Sequence, residues 1–135
     1  MTDGEFSLPI RVYIEDTDAG GIVYYVNYLK FMERSRTEYM RAQGFDKNFI
    51  FNSDLMFVVR DVSVQYLQPA VLDDELLATA RISHISGATM TMEQSVRRGQ
   101  DVLAQGEVKI ACVETTRLKP RRIPKEMVAR LRASQ

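Results

Sequence analysis

The sequence predicts an α+β fold in which one antiparallel five-stranded sheet wraps around a single long central helix. Three observations predict it: one strand-like run at the start, one stretch of helical period directly after it, and four further strand-like runs joined by short loops. At 135 residues, with no repeat and no linker composition, residues 1–135 read as one domain with one core.

Ile10, Val12 and Ile14 alternate with Arg11 and Tyr13, the period of a half-buried strand. Gly20-Gly21 ends that pattern. From about Val23 to Gln43 the period becomes helical, with Tyr24, Tyr28, Met32, Ser35 and Tyr39 on one stripe and Gly44 at the expected C-terminal cap. About 20 residues at 1.5 Å each span roughly 30 Å, the width of a small domain, so this helix should run through its middle. Leu55 to Tyr66 then reads as a strand, followed by a turn around Pro69 and Asp73-Asp74. Glu75 to Ser86, Ala88 to Arg97 and Val102 to Glu114 follow, separated by Gly87 and by Arg98-Gly99-Gln100-Asp101. Loops this short predict antiparallel hairpins between consecutive strands, because a parallel return needs a dozen or more residues. Pro124 suits the first position of a short terminal helix ending near Arg132.

Composition narrows the function. The acidic start Asp3-Gly4-Glu5 is unlike a secretory signal, and no apolar run approaches the ~18 residues of a membrane span, so a cytoplasmic protein is expected. The formal charge is zero, which argues against extended nucleic-acid binding. That zero hides an asymmetry: residues 1–76 carry 13 acids and 7 bases, residues 77–135 carry 5 and 11. The basic surplus gathers at Arg117, Lys119, Arg121, Arg122, Lys125, Arg130 and Arg132, enough to hold one phosphorylated ligand. Cys112 lies in an alternating run and reads as a packing residue, and His84, the only histidine, has no second histidine with which to share a metal. No metal site, no cofactor and no Ser-His-Asp triad is expected.

The stretch Glu15-Asp16-Thr17-Asp18-Ala19-Gly20-Gly21 carries the chemistry. Three carboxylates within four residues at the end of an apolar strand repel one another and are costly to bury. They read either as a solvated turn with an Asp cap or as a reactive group. The glycines, Gly21 among them, let backbone pass close to a ligand. The helix behind them offers unpaired N–H groups and a partial positive charge. A carboxylate opposite a helix N-terminus is sufficient for attack on a thioester and needs no metal.

The chain resembles the 4-hydroxybenzoyl-CoA thioesterase family of hotdog proteins, and within it the Tol-Pal-associated acyl-CoA thioesterase subgroup. The matching text is Arg11-Val12-Tyr13, Glu15 to Gly21, Val23-Tyr24, Asn27-Tyr28, Glu33 to Glu38, Phe57-Val58-Val59-Arg60, Pro69-Ala70, Leu72-Asp73-Asp74 and Lys119-Pro120-Arg121. It runs through nearly the whole chain in the same order. The resemblance implies hydrolysis of an acyl-CoA thioester to free acid and CoA, with Asp18 as nucleophile or general base and the backbone N–H of Tyr25 polarising the carbonyl. It also implies a homodimer with paired sites at its interface, often a homotetramer. Tyr25 stands where the subgroup usually has histidine, which takes an acid or base role near neutral pH away from that side chain. Ser86 stands in a loop where relatives often use arginine against CoA phosphates, so Lys119 and Arg121 are candidate phosphate partners. Phe57, Val58 and Val59 match the strand that faces the acyl group in relatives, and a large Phe57 would restrict a pocket there.

Two other functions fit the same residues less well. A hotdog dehydratase or hydratase usually combines histidine with a carboxylate, and His84 lies far along the chain from Asp18. A non-catalytic acyl-CoA or acyl-carrier binding module, associated with membrane-lipid enzymes or acyl carrier protein, would bind the ester without turnover.

Overall fold

The fold is described from a computed structural model, for residues 5–47 and 54–135. Its elements are β1 (Phe6–Arg11), a 3-10 turn (Ile14–Asp16), α1 (Tyr25–Ala42), β2 (Leu55–Tyr66), β3 (Glu75–Ser86), β4 (Thr89–Arg98), β5 (Asp101–Glu114) and α2 (Lys125–Ala133). The five strands form one sheet in the order β1-β3-β4-β5-β2, every neighbouring pair antiparallel. α1 lies on its inner face, packed mainly against β1, β3 and β4.

The helix forms because its buried positions recur every three to four residues: Tyr28, Phe31, Met32, Ser35 and Tyr39. Tyr24, expected on that stripe, is instead the exposed cap residue. The C-terminal end closes as a Schellman motif, with Gly44 N–H donating to Arg41 O at 3.0 Å and Phe45 N–H to Met40 O at 2.9 Å. Two apolar clusters flank the helix. Val12, Val23, Tyr28, Phe31, Met32, Leu76 and Leu103 surround its N-terminal half. Tyr39, Phe45, Leu55, Met90, Met92, Met127 and Leu131 surround the other half, and α2 caps that end. Each fully buried side chain of this size stabilises the fold by about 1.5–3 kcal/mol.

Three sequence expectations are corrected. The first strand ends at Arg11, not at Ile14, because the Asp16 carboxylate turns back to accept the Tyr13 N–H at 2.9 Å and takes it out of any ladder; Ile14 is left exposed. The link from β2 to β3 is not a hairpin. β2 pairs with β5 and β3 with β1 and β4, so residues 67–74 cross from one edge of the sheet to a strand three places away. Strands ~4.8 Å apart make that step about 14 Å, within reach of eight residues. Pro124 is the N-cap of α2 and not its first helical residue.

Candidate active site

The loop between β1 and α1 is built from its own hydrogen bonds. Thr17 pairs with Val23 as an isolated antiparallel bridge, Asp18 N–H donates to Ile22 O at 2.9 Å, and Gly21 N–H donates to Asp18 O at 3.0 Å. The turn needs Gly21 at φ +80°, the left-handed region that other residues enter only at a cost. The loop also rests on the β2–β3 crossover, through Val23 N–H to Ala70 O at 2.9 Å and Leu72 N–H to Gly21 O at 3.0 Å. Two residues beyond Val23, α1 begins.

The three carboxylates have different environments. Glu15 is exposed. Asp16 is 6% exposed and fully engaged: Oδ2 accepts from Tyr13 N–H and Oδ1 from the Asn27 side-chain amide at 2.8 Å. Asp18 is exposed; its Oδ1 accepts from Gly20 N–H at 2.8 Å and Ile22 N–H at 3.3 Å, while Oδ2 enters none of the hydrogen bonds found among the described residues. Only Asp18 therefore combines a fixed orientation with an oxygen free to react.

α1 opens without a side-chain cap; the Asn27 N–H turns back to Tyr24 O at 2.9 Å, and the amides of Tyr25 and Val26 ahead of it lie at the positive end of the helix, facing an incoming group. Tyr25, the first helical residue, is 72% exposed, and its ring tilts against Tyr66 at 5.5 Å. Tyr28 lies beneath it at 3% exposure, its hydroxyl accepting the Ala70 N–H at 2.8 Å. Burial pushes the Tyr28 phenol above its ordinary value, outweighing the Ala70 hydrogen bond. Asp18 and Gly21 lie on the loop that leads into Tyr25, and Ile14, Ile22, Tyr24 and Val26 of the same segment are exposed.

The other sequence-predicted site residues form a second group at the opposite end of the fold. Phe57, Val58 and Val59 open β2 and pair with Cys112, Ala111 and Ile110. Ser86 closes β3, and the turn after it touches the basic segment: Ile123 N–H donates to Gly87 O at 3.0 Å and Arg121 N–H to Cys112 O at 2.9 Å. Lys119 and Arg121 are exposed beside them, and the Arg121 guanidinium also donates to Asp54 O at 3.3 Å. Phe57 and Val59, with Met40, Phe45, Met56 and Met90, line a cavity of about 470 Å³ whose polar lining includes Glu33 and Arg36. Val58 does not line it. Arg36 is held partly buried against Gln94 Oε1 at 3.2 Å, and burial lowers its pKa. Cys112 is buried and its thiol is pushed up by burial, as a packing residue's would be. His84 is exposed near the far end of β3, about 30 Å along that strand from the end where Asp18 lies.

The pairing of Asp16 with Asn27 was not legible in the sequence, since a link across eleven residues between a loop and a helix follows no period. The signal available was the pair's presence within the two motif segments flanking the glycines.

A curled antiparallel sheet around one long helix, with an open carboxylate on the loop entering that helix, is a hotdog fold. The chain belongs to the Thioesterase-like superfamily, whose family model matches residues 12–131. It is 44% identical over 130 residues to an acyl-CoA thioesterase, YbgC, of Haemophilus influenzae, covering 96% of each chain. It is 40% identical over 125 residues to the acyl-CoA thioester hydrolase YbgC of Escherichia coli O157:H7, covering 92% of this chain and 93% of that one. Among solved structures, a probable thioesterase from Bartonella henselae superposes with a TM-score of 0.83 at 38% identity, over 89% of this chain and 99% of that one.

Proposed function

We propose that this chain is an acyl-CoA thioesterase, releasing a free acid and CoA, with Asp18 as the reacting carboxylate and the first turn of α1 as the oxyanion site. The observation that carries the reading is the contrast between the two neighbouring aspartates: Asp16 has both oxygens occupied in a buried site, whereas Asp18 is aimed by two amides and keeps Oδ2 open. As nucleophile, Asp18 would attack the thioester carbonyl, expel the CoA thiolate and leave a mixed anhydride that water then hydrolyses. As general base, it would take a proton from the water that attacks that carbonyl. On either route the Tyr25 N–H receives the negative charge developing on the carbonyl oxygen. The CoA thiol leaves as a thiolate, a good leaving group that needs no strong acid, which suits a site with a tyrosine at position 25.

The two groups of site residues point to a homodimer. Tyr25 lies about 20 Å along α1 from the cavity-lining Met40, so within one subunit the strand start read as facing the acyl group, Phe57–Val59, stands well away from the carbonyl that Asp18 and Tyr25 would hold. β2 is an edge strand with exposed Val59, Val62 and Tyr66. Two copies pairing antiparallel along that edge would bring the Phe57–Val59 end of one subunit beside the Tyr66 and Tyr25 end of the other. Each site would then combine Asp18, Gly21 and Tyr25 of one subunit with Phe57, Val58, Val59, Ser86, Lys119 and Arg121 of its partner, the basic residues meeting the CoA phosphates. A homotetramer would follow from two such dimers. The chain would work as a single domain in the cytoplasm on CoA esters, with acyl carrier protein or membrane-lipid enzymes as its neighbours. No helix of the described residues is long and apolar enough to cross a membrane.

The test is a panel of acyl-CoA esters assayed with a thiol reagent, for wild type and Asp18→Asn, with thermal melts alongside. A fall in turnover of about 10²–10⁴-fold at an unchanged melt is expected. Equal rates in both proteins would remove Asp18 from the reaction, and CoA-ester binding without turnover in wild type would make the chain a binding module.

A further inference from the structure

We infer that the buried pair Asp16 and Asn27 is a positioning device for the reaction, holding the Asp18 loop in register with the first turn of α1. The inference rests on the reading of Asp18 as the reacting group.

Asp16 and Asn27 are both 6% exposed and are joined at 2.8 Å, Asn27 Nδ2 donating to Asp16 Oδ1. Asn27 is the third residue of α1, so it reports the position of the helix start. Asp16 is the last residue of the 3-10 turn, two positions before Asp18. Its other carboxylate oxygen takes the Tyr13 N–H at 2.9 Å, and its backbone carbonyl takes the Tyr24 N–H at 3.1 Å. Asn27 N–H in turn donates to Tyr24 O at 2.9 Å. These bonds close a ring through Asp16, Asn27 and Tyr24, with Tyr13 tied to it at Asp16, and the segment from Thr17 to Val23 is the loop that ring ties off.

The arrangement has a cost that packing alone does not require. A carboxylate has been taken out of water, and none of the ion pairs found among the described residues involves Asp16; neutral amides satisfy it. An apolar pair of similar size would fill the same space without desolvating a charge. What it would not do is fix direction. The carboxylate accepts along two defined lines, one to the strand side of the loop and one to the helix, so loop and helix cannot slide past each other without breaking one of them. Asp18 Oδ2 and the Tyr25 N–H must face the same acyl carbon from different elements, and a displacement of about 1 Å between them costs on the order of 10²-fold in rate.

The pair can be exchanged, which provides the test. In Asp16→Asn the link to the helix survives only if the Asn27 amide turns over to present its oxygen, and the charge is lost, whereas in Asn27→Asp two carboxylates face each other. In the double variant Asp16→Asn/Asn27→Asp, Asn Oδ1 can accept from Tyr13 N–H while its Nδ2 donates to the aspartate at position 27. That charge then lies in the first turn of the helix, where a negative group is favoured. Thermal melts set an assay temperature at which every variant is folded, and Asn27→Ser, which removes the amide without adding charge, is the milder lesion should Asn27→Asp not fold. The expected result is kcat lower by roughly 10–100-fold in the single variants with KM within about threefold of wild type, and most of kcat recovered in the exchanged pair. Single variants that keep wild-type kcat while Asp18→Asn is inactive would overturn the positioning role, as would activity lost only in proportion to unfolded protein or an exchange that recovers the melt but not kcat. An Asp18→Asn protein as active as wild type would instead overturn the reading of the site.

Discussion

Single side chains divide the labour around the helix start. The sequence placed three carboxylates before two glycines, and their spacing alone left a solvated turn and a reactive group equally open; separating Asp18 from Asp16 in physical terms required the third dimension, where one is exposed and the other closed by Asn27. Tyr28 shows the same limit. Its place on the helical stripe marked it as core, but not that its hydroxyl would accept from Ala70, a buried amide on the crossover. In Tyr28→Phe that N–H loses its partner, and denaturant melts should show a loss of about 1–3 kcal/mol. The phenol itself adds a pH dependence. Burial raises the folded-state pKa of Tyr28, and likewise of Tyr39 and Tyr66, above the unfolded value near 10. Above that value the unfolded chain loses its phenolic protons first, so this stabilisation, complete below pH ~10, is lost as pH rises through the folded values. The melting temperature should therefore fall on the alkaline side, less steeply in Tyr28→Phe.

Elements were largely legible, because period and punctuation are local properties. β2 and β3 carry the boundaries their alternation and turns suggest, and α1 differs by two residues at its start and one at its end. Pairing was less so. Which strand lies beside which depends on the curl of the whole sheet around α1, and an eight-residue link between β2 and β3 reads the same whether it turns back or crosses. β2 and β5 approach so closely at Gly106, opposite Val64, that a Cβ would lie 2.0 Å from Ser63 O. A side chain there would force the two backbones apart. Gly106→Ala is expected to lose at least about 2 kcal/mol in a denaturant melt while leaving the Asp18 loop, which hangs on other elements, chemically intact in the folded fraction.

At the scale of the molecule, the Asp18 loop enters one end of the 18-residue helix and the cavity lined by Phe57 and Val59 lies toward its other end. The charge asymmetry of the sequence follows the same division: the acidic part supplies Asp18, and the basic surplus follows β5, beside the Ser86 turn. In the dimer proposed above, such a division would make catalysis divisible between polypeptides. A chain carrying Asp18→Asn and a chain carrying Lys119→Glu and Arg121→Glu are each defective alone. Hybrids formed by unfolding and refolding them together would hold one site with both halves intact and one with neither, so a one-to-one mixture should regain about a quarter of wild-type turnover from two nearly inactive parents. If the proposed dimer forms each site, the smallest competent unit is the pair, and dilution below its dissociation constant is expected to silence the protein without unfolding it.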